Sequence, residues 1–405
     1  MKLSWFGRLA LALFASLALG LGMSACGGGT IAYLWVLGQQ YNQIAAFKVD
    51  DYTGNLTQTP HQPFPAEGAN PIMILVKAGG RFVYVLNQGS GDTPTSNSSD
   101  AGIAVFTVGG DGSLTYLQSY QSQGFDPQYI QFDSTDSYLY VLDKYSPDYA
   151  TTGNGSITVF SIDPTTGRLT LVLNTQSVPP LSPAPTYWDV GQSPFMMKTA
   201  GSCVYTANSA DHSITPFSQG SGGQLVNVTT GKIATNATTI SSINGNGSYI
   251  VLTDSGSNMI IPYTIGSNCA LSAFVGGAVS NPAGSPTPVN SFITTGGGNT
   301  YLYVLNYSSS NTTTTQAGSS ITGFLVNPSS GLSTLTGSPY SVDSGPLCMV
   351  EDPTNKYMYI SDHNSGQVTG KIFDASTGTL APLTRGTTFS ATGLATCEAI
   401  SGAVD

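Results

Sequence analysis

Residues 138–143, which read YLYVLD, decide the fold of this chain. Aromatic and β-branched residues dominate the stretch, and it ends in an acid of the kind that starts a turn, which is typical of a buried β-strand. Six further stretches share this pattern, at residues 33–38, 82–87, 203–208, 249–254, 301–306 and 357–362. Seven copies of one strand at intervals of about 50 residues indicate a repeat architecture.

A second strand follows each of these aromatic stretches. Residues 157–163 read ITVFSID, and Gly167 and Leu169 then complete an Asp-x-x-x-Gly hairpin turn and begin a third strand. A loop and a strand that leads into the next aromatic stretch close the unit. Each repeat is therefore predicted to be a four-stranded antiparallel meander. The corresponding second strands begin at Ile44, Ile103, Ile214, Ile260, Ile321 and Val368.

The ends of the chain predict how these meanders are joined. A single meander leaves two faces and two edges exposed, whereas a ring of meanders buries the faces, so we predict an all-β, seven-bladed β-propeller. The first aromatic stretch begins at Tyr33 with almost nothing before it, while residues 392–400 match the inner-strand segment 345–351. The C-terminal strand is therefore expected to complete the first blade.

The first 25 residues predict an export signal. Lys2 and Arg8 accompany an apolar run at residues 9–21 that is too short to span a bilayer. The small residues before Cys26 resemble a bacterial lipobox, which implies a signal peptide at 1–25, an acylated cysteine and glycine tether at 26–30, and a propeller at 31–405. An ordinary signal peptide with a chance cysteine is the alternative. The lipid-anchored form would lie in the cell envelope, at the outer membrane where the source has one.

Charge narrows the range of partners. The chain has 12 basic and 22 acidic residues, a net charge of −10, and cleavage of the signal removes two bases, which makes the mature charge −12. Without a basic cluster, nucleic acid is not an expected partner, whereas the membrane is, through the lipid anchor. No cofactor is expected, and no spacing of cysteine and histidine indicates a metal site.

Four cysteines remain after Cys26. An even number in an oxidising compartment favours two disulfides, for which three pairings exist. Cys348 and Cys397 would occupy similar places on neighbouring inner strands, and Cys203 and Cys269 would lie in hairpin turns on one rim. We predict the pairs Cys348–Cys397 and Cys203–Cys269.

Three features resemble the lactonase family of seven-bladed propellers, which includes 6-phosphogluconolactonase-type enzymes, and the YVTN-type repeats of bacterial surface proteins. They are the seven aromatic stretches, the Phe-x-Ile-Asp-x-x-Thr-Gly-x-Leu-Thr pattern at residues 160–170 and the turn at residues 352–359. The resemblance covers essentially all of the mature chain. It implies the propeller fold and, for activity, the opening of a lactone ring.

The catalytic residues that the resemblance implies are missing. The family's Gly-Pro-Arg-His stretch corresponds to residues 345–348, where Leu347 and Cys348 replace the arginine and histidine. Opening a lactone requires a group that activates water and a donor that holds the oxyanion, and a phosphorylated substrate requires further positive charge. Arg81, Arg168 and Arg385 are the arginines of the mature chain, and none is expected near the long loops. The family's glutamate would follow an aromatic stretch, where this chain has Gln39, Gln88, Lys144, Ser209, Ser255, Tyr307 and His363.

Two sets of residues remain as candidate sites. His363 is a candidate base near the axis, with an inert surface histidine as the alternative. Four long loops, at 88–102, 144–155, 178–193 and 307–319, share one rim, and loops on a rigid scaffold are where binding sites evolve. Aromatic rings beside an acid suit a sugar or a polar polymer, unless Trp188 folds back onto the ring. The candidate ligand-binding residues are Tyr187, Trp188, Asp189, Tyr145 and Tyr307.

Buried polar positions have simpler interpretations. The Asn or Asp that ends six of the aromatic stretches is expected to cap a turn rather than to bind metal. Glu351 and Glu398 are expected on inner strands, where they could form a carboxylate pair.

Two functions are consistent with the sequence. The first is a binding or scaffold module for a glycan, small ligand or protein partner, and the alternative is a hydrolase of an unphosphorylated lactone.

Overall fold

The computed structural model describes residues 29–96, 98–176, 183–228, 231–282, 286–308 and 318–402. Within these ranges the strands form seven antiparallel sheets, and each sheet is one blade. The predicted signal peptide and Cys26 lie outside the described residues. None of the helices in these ranges has the length and apolarity needed to cross a bilayer.

The strands of the first four blades have the following bounds. Blade 1 contains β1 (Thr30–Gly38), β2 (Gln43–Asp50), β3 (Leu56–Gln58), β4 (Phe64–Pro65) and the last strand, β34 (Ala395–Gly402). Blade 2 contains β5 (Pro71–Val76), β6 (Phe82–Asn87), β7 (Gly102–Val108) and β8 (Leu114–Tyr120). Blade 3 contains β9 (Phe125–Phe132), β10 (Tyr138–Tyr145), a short helix α1 (Tyr149–Thr152), β11 (Ser156–Ile162), β12 (Leu169–Leu171) and β13 (Trp188–Asp189). Blade 4 contains β14 (Pro194–Ala200), β15 (Cys203–Asn208), β16 (Ser213–Gln219), β17 (Leu225–Asn227) and β18 (Ile233–Ala234).

The remaining three blades repeat this arrangement. Blade 5 contains β19 (Ile240–Gly245), β20 (Tyr249–Asp254), β21 (Met259–Ile265), β22 (Leu271–Ala273) and β23 (Val279–Ser280). Blade 6 contains β24 (Thr287–Gly296), β25 (Asn299–Tyr307), β26 (Ser320–Asn327), β27 (Gly331–Thr334) and β28 (Tyr340–Ser341). Blade 7 contains β29 (Pro346–Glu351), β30 (Tyr357–Asp362), β31 (Gln367–Phe373), β32 (Leu380–Pro382) and β33 (Thr388–Ser390). Single-turn 3-10 helices lie at Gln39–Tyr41, Ser221–Gly223 and Ser267–Cys269.

Each blade is a four-stranded meander, as the sequence predicts. The aromatic stretch is the second strand from the axis in every blade. In six blades the outermost strand is broken into two short pieces that pair with the third strand, whereas β8 of blade 2 is continuous. The turns between second and third strands and the connections between blades lie on one rim, which we call the upper rim. The opposite rim is the lower rim.

The ring closes as predicted. The C-terminal strand β34 pairs antiparallel with β1, with Ala399 opposite Trp35. The inner strands contact one another in the circuit β34, β5, β9, β14, β19, β24, β29 and back to β34. Blade 1 is therefore assembled from both ends of the propeller sequence.

The aromatic stretches hold neighbouring blades together. In five of the seven blades the third side chain of the stretch reaches a turn on the lower rim of the following blade and donates a hydrogen bond to a backbone carbonyl there. A buried aromatic ring with a polar tip suits this role because the ring fills the interface while the tip satisfies a carbonyl. The pairs are Trp35–Gly112 (3.0 Å), Tyr84–Gly167 (2.9 Å), Tyr205–Cys269 (3.0 Å), Tyr303–Gly378 (2.6 Å) and Tyr359–Gly54 (2.6 Å).

The glycine of the Asp-x-x-x-Gly turn has a structural reason. Gly167 has a φ of +71°, and a Cβ there would lie 2.4 Å from the ring of Phe82. Phe82 is the first residue of the aromatic stretch in the preceding blade. Between blades 4 and 5, Cys203 replaces that aromatic residue and Cys269 replaces the glycine, with a φ of +59°. The predicted disulfides Cys203–Cys269 and Cys348–Cys397 are both formed.

Candidate functional site

The inner strands enclose a central channel with a cavity of about 430 Å³. A cavity of this size matches the lower range of small-molecule sites in proteins. Side chains of different character meet in its wall, and every blade contributes to it. One lining residue from each of blades 1 to 7 is, in that order, Glu398, Met73, Gln131, Lys198, Asn244, Phe292 and Glu351.

One layer of this channel is polar on one side and apolar on the other. Inner-strand residues that pair with the third position of the aromatic stretches share this layer. Blades 3, 4 and 5 contribute Gln131, Lys198 and Asn244. The remaining members are apolar and complete the circle, namely Phe292, Val350, Ala399 and Leu75. A ligand in this layer would meet hydrogen-bonding groups on one side and hydrocarbon on the other.

Lys198 is the cationic side chain among the residues that line the cavity. The ion pairs between described residues are Lys144–Asp126 and Lys232–Asp211, so no described carboxylate lies within 4.0 Å of its ammonium. Burial lowers the pKa of Lys198 to about 8. An ammonium enclosed by protein without a counter-ion favours the binding of a carboxylate or carbonyl oxygen.

Gln131 and Asn244 differ in how far their amides are engaged. Asn244 donates to the carbonyl oxygen of Ser291 and accepts from the amide of Gly245 at 2.8 Å. The side chain of Gln131 has no hydrogen-bond partner among the described residues, and its strand β9 contacts the strand of Lys198. The amide of Gln131 and the ammonium of Lys198 are therefore neighbouring groups with free capacity.

The two glutamates of the channel wall do not form the carboxylate pair that the sequence allows. Glu351 accepts hydrogen bonds from Thr294 and, at 2.9 Å, from Asn355, and burial raises its pKa. Glu398 is 2% exposed, and burial followed by the charge of Asp362 raises its pKa well above the usual range. Neither Glu398 oxygen has a hydrogen-bond partner within the described ranges, although the nearby Ser361 amide opposes the rise of its pKa.

The two positions that correspond to the family's arginine and histidine, Leu347 and Cys348, cannot perform acid–base chemistry. Leu347 lies at the start of β29 and is 36% exposed. Its backbone carbonyl accepts a hydrogen bond of 2.7 Å from Asn290. Cys348 is bonded to Cys397, so its sulfur is neither a thiolate nor a proton carrier.

His363 lies on the upper rim beside the seam between blades 7 and 1. Its backbone amide donates to the carbonyl of Gly345 at 2.7 Å, and Nδ1 lies 3.2 Å from the carbonyl oxygen of Ala395. With the proton on Nδ1, the ring donates this bond and leaves the Nε2 lone pair available as a base. Its sequence neighbour Asp362 is fully buried and bonded to Thr369, so this carboxylate does not orient the imidazole.

A chain of polar side chains crosses the upper rim of blades 1 to 3. Gln39 bonds to Asn70, whose amide donates to Gln88 at 2.7 Å. Gln88 in turn donates to Asp126 at 2.9 Å, and Lys144 lies 3.5 Å from the other oxygen of that carboxylate. Three of these residues directly follow aromatic stretches, at the position where the family's glutamate would stand. Their hydrogen-bonding groups are engaged with one another rather than directed at a substrate.

The predicted aromatic loop site needs correction at Trp188. Trp188 lies in β13, where it is 3% exposed and pairs with Ile157 of β11. Its side chain packs between blades 3 and 4, so it cannot stack on a ligand. The loop tip folds back because this segment completes the broken outer strand of blade 3. Tyr187 and Asp189 remain at the surface of the loop. Burial and the charge of Asp148 raise the pKa of Asp189 to about 6.

The other predicted ligand-binding residues lie in two separate places. Tyr145 packs edge-on against Tyr149 with ring centroids 4.6 Å apart, on the same blade as Tyr187. Tyr307 belongs to blade 6, where its hydroxyl accepts a bond of 3.4 Å from Asn364, next to His363. The candidate residues therefore divide between blade 3 and the interface of blades 6 and 7. Residue 97 and residues 178–182 and 309–317 of the predicted loops lie outside the described residues.

Sequence reasoning missed Lys198 and Gln131. The signal was present, because a lysine stands within the apolar inner-strand segment at residues 194–200. Recognising it required the register that aligns the inner strands. In the described part of the chain, no group of three or more His, Cys, Asp or Glu side chains is arranged to hold a metal ion.

Comparison with known proteins supports the lactonase resemblance. Residues 32–182 match the family model of the lactonase, 7-bladed β-propeller. A 6-phosphogluconolactonase of Bacillus subtilis (strain 168) is 30% identical over 138 residues, which cover 34% of this chain and 31% of that protein. The match thus spans about a third of the length of this curated relative. The family-model match confirms the resemblance over residues 32–182.

Solved structures share the whole fold. A putative 6-phosphogluconolactonase from Bacteroides fragilis NCTC 9343 is similar with a TM-score of 0.68 at 18% identity, over 92% of this chain and 98% of that chain. A periplasmic gluconolactonase of Pseudomonas aeruginosa gives a TM-score of 0.69 at 14% identity, over 93% of this chain and 100% of that chain. At these identities the likeness concerns the fold.

Proposed function

Starting from the confirmed resemblance to the lactonase family of seven-bladed propellers, we propose that this chain is a binding propeller. Its central channel holds a small polar ligand that carries one carboxylate or lactone carbonyl. The observation that carries the proposal is Lys198, whose ammonium in the channel wall has no carboxylate of the described residues within 4.0 Å. Gln131 beside it supplies a further donor and acceptor.

The shape of the channel layer narrows the ligand class. One ammonium balances one carboxylate, whereas a phosphorylated ligand would need more positive charge than this layer provides. The apolar arc that includes Phe292 and Val350 would cover the carbon side of a sugar acid or lactone. The cavity of about 430 Å³ accommodates a ligand of that size.

The test is calorimetric titration of the protein with gluconate, glucono-lactone and glucose at pH 7. We expect the carboxylate and the lactone to bind and glucose to bind more weakly, because glucose lacks the group that pairs with the ammonium. Lys198→Met should weaken gluconate binding at least about tenfold, the range of one charge-assisted hydrogen bond. Lys232→Met is the matched control, since Lys232 is an exposed lysine paired with Asp211. Equal affinity in wild type and Lys198→Met would exclude the channel as the site.

The second candidate function is hydrolysis of an unphosphorylated lactone. The names of the similar proteins favour it, and so does His363, whose anchored Nδ1 leaves Nε2 as a base. Hydrolysis of glucono-lactone should then fall at least about 100-fold in His363→Ala, as general-base catalysis contributes that much. His212→Asn is the control, because asparagine tolerates the φ of +48° at that position. Unchanged turnover in His363→Ala would remove this mechanism.

Two further parts of the proposal concern place and partners. The protein is exported and anchored to the envelope through acylated Cys26, which is supported by the lipobox pattern and agrees with two disulfides. Metabolic labelling with a radioactive fatty acid should mark the wild type and not Cys26→Ala.

A glycan or protein partner would bind the remaining loop candidates, which are Tyr145, Tyr187, Asp189 and Tyr307. A glycan pull-down that Tyr187→Ala weakens would support this assignment.

A further inference from the structure

The lower rim carries a cleft of about 370 Å³ between blades 2 and 3. Arg81, from the inner turn of blade 2, and Arg168, from the outer turn of blade 3, both line it. Thr107 and Thr165 add hydroxyl groups, and Leu117 adds an apolar wall. We call this set of five residues the arginine cleft. It lies on the rim opposite the long loops and is separate from the central channel.

The repeat packing brings the two arginines to one place. Phe82, which follows Arg81, lies against Gly167, which precedes Arg168. The hydroxyl of Tyr84 fixes the contact by donating to the carbonyl of Gly167 at 2.9 Å. Both atoms of that hydrogen bond are buried, so the cleft is built on a rigid part of the blade interface.

In the part of the chain that the structure describes, neither guanidinium has an acidic partner. The ion pairs between described residues involve lysines alone, and Arg168 reaches only the amide oxygen of Gln118, at 3.5 Å. The guanidinium of Arg81 lies 5.7 Å from the ring centroid of Phe82. Asp163 forms no ion pair with either arginine, and its carboxylate accepts the amides of Thr165 at 2.9 Å and Thr166 at 2.8 Å.

This concentration of positive charge stands out in an acidic protein. The mature chain would have three arginines, and two of them line this one cleft. Guanidinium groups present paired N–H donors that match the oxygens of a tetrahedral oxyanion, and two of them can hold it from two sides. The threonine hydroxyls extend the donor set, and the apolar wall suits an ester substituent.

The geometry points to the arginine cleft as a binding site for a phosphate ester. Such a group could come from a membrane lipid or from a soluble metabolite. The described chain begins on the same lower rim, where Gly29 accepts a hydrogen bond from the Asp51 amide at 2.9 Å. If Cys26 is acylated as proposed, this rim faces the lipid headgroups, so the lipid source rests on the proposed anchoring. Recognition of the phosphate ester by the arginine cleft does not depend on the anchoring.

The experiment measures binding of the purified protein to three probes. These are inorganic phosphate, glycerol 3-phosphate, and vesicles of phosphatidylglycerol compared with vesicles of phosphatidylcholine. We expect Arg81→Gln/Arg168→Gln to weaken binding of the responsive probe at least tenfold, with a smaller salt dependence than the wild type. Comparing wild type and variant in the same lipidation state cancels the contribution of an anchor.

Arg385→Gln is the matched control, because it removes the third arginine and leaves the cleft intact. Binding of glycerol 3-phosphate that depends on the two arginines supports a soluble ester, and binding of phosphatidylglycerol vesicles alone supports a lipid. No binding of any probe, or binding that the double variant leaves unchanged, overturns the proposal. Thermal unfolding of the variant without ligand confirms that it is folded.

Discussion

Blades 5 and 7 both end their second strand in a fully buried aspartate, but the two carboxylates have different surroundings. Asp254 accepts the backbone amides of Thr238 and Thr239, both at 2.7 Å, and its pKa is lowered although burial opposes this. Asp362 accepts one hydroxyl, that of Thr369 at 2.5 Å, and burial raises its pKa to about 8. One amino acid at one position of the repeat is therefore an ion in blade 5 and a neutral acid in blade 7.

The loop that precedes each inner strand decides this difference. In blade 5 the loop directs its amides at the aspartate. In blade 7 the corresponding amides are used elsewhere, since Ser344 donates to Asp343 at 2.8 Å and Gly345 donates to Ser319 at 3.4 Å. A carboxylate that receives several amides is stabilised as an anion, and one that is merely buried is stabilised as an acid.

Blade 7 also adjoins the seam, where the electrostatic contrast increases. Glu398 on the C-terminal strand faces Asp362 across the interface, and each carboxylate lacks partners that an ordinary blade provides. Lys371 is buried nearby, and its pKa is lowered by burial more than Asp362 raises it. The seam thus combines the closure of the ring with two buried carboxyl groups whose oxygens lack hydrogen-bond partners among the described residues, namely Oδ1 of Asp362 and both oxygens of Glu398.

The largest expected effect comes from breaking the seam itself. Deletion of residues 395–405 removes β34, leaves β1 without its inner neighbour and removes the partner of Cys348. We expect loss of cooperative unfolding, because a stability of about 5–15 kcal/mol cannot absorb the loss of a central strand. Calorimetry of the truncated chain measures this. Deletion of residues 403–405 is the control, and an unchanged transition in the longer deletion would disprove closure by the tail.

The next effect concerns the disulfide of the regular interface between blades 4 and 5. Cys203→Ala/Cys269→Ala should lower stability by about 4 kcal/mol, the value typical of a loop of this length. Cys203→Tyr/Cys269→Gly should recover about half of that loss or more, because it restores the aromatic-on-glycine contact of the other interfaces. Urea unfolding of both variants provides the comparison. Equal destabilisation would mean that the disulfide does not substitute for that contact.

The third effect compares the two aspartates directly. Asp254→Asn places an amide group among backbone donors and should cost about 3 kcal/mol at pH 7, since bonds from two amides to a charged acceptor are lost. Asp362→Asn should instead stabilise the protein at pH 7, because the wild-type aspartate ionises on unfolding whereas the asparagine is neutral in both states. The measurement is the urea midpoint of each variant at pH 7. A larger loss at Asp362 would reverse our assignment of the ion and the acid.

Sequence repetition predicts what each blade must do in common. The aromatic stretches, the closure by residues 395–402 and the two disulfides follow from it because every interface buries equivalent faces. Repetition does not predict that Asp254 and Asp362 differ in protonation, because this depends on where the loop amides point. It also does not predict that Lys198 faces the channel, because this depends on the alignment of the inner strands. Trp188 misled for a related reason, since loop composition does not reveal that Trp188 pairs with β11.

The smallest expected effect is the change in the free energy of unfolding for each unit of pH. Asp362 has a folded pKa of about 8, above its unfolded value of about 3.9, and the folded pKa of Glu398 is raised as well. The folded state therefore binds more protons than the unfolded state between these values. Stability from these groups is complete below about pH 4 and is lost as the pH rises towards 8, by at most about 1.4 kcal/mol per unit for each group.

Urea midpoints between pH 5 and 8 test this slope. Asp362→Asn/Glu398→Gln should flatten it, because both replacements are neutral at every pH and remove the like-charge pair of the seam. Asp143, whose folded pKa is about 8 for the same reason of burial, remains in the variant and leaves part of the slope. A wild type that becomes more stable from pH 5 to 8 would show that the seam carboxylates are ionised in the folded protein, and the contrast with blade 5 would then disappear.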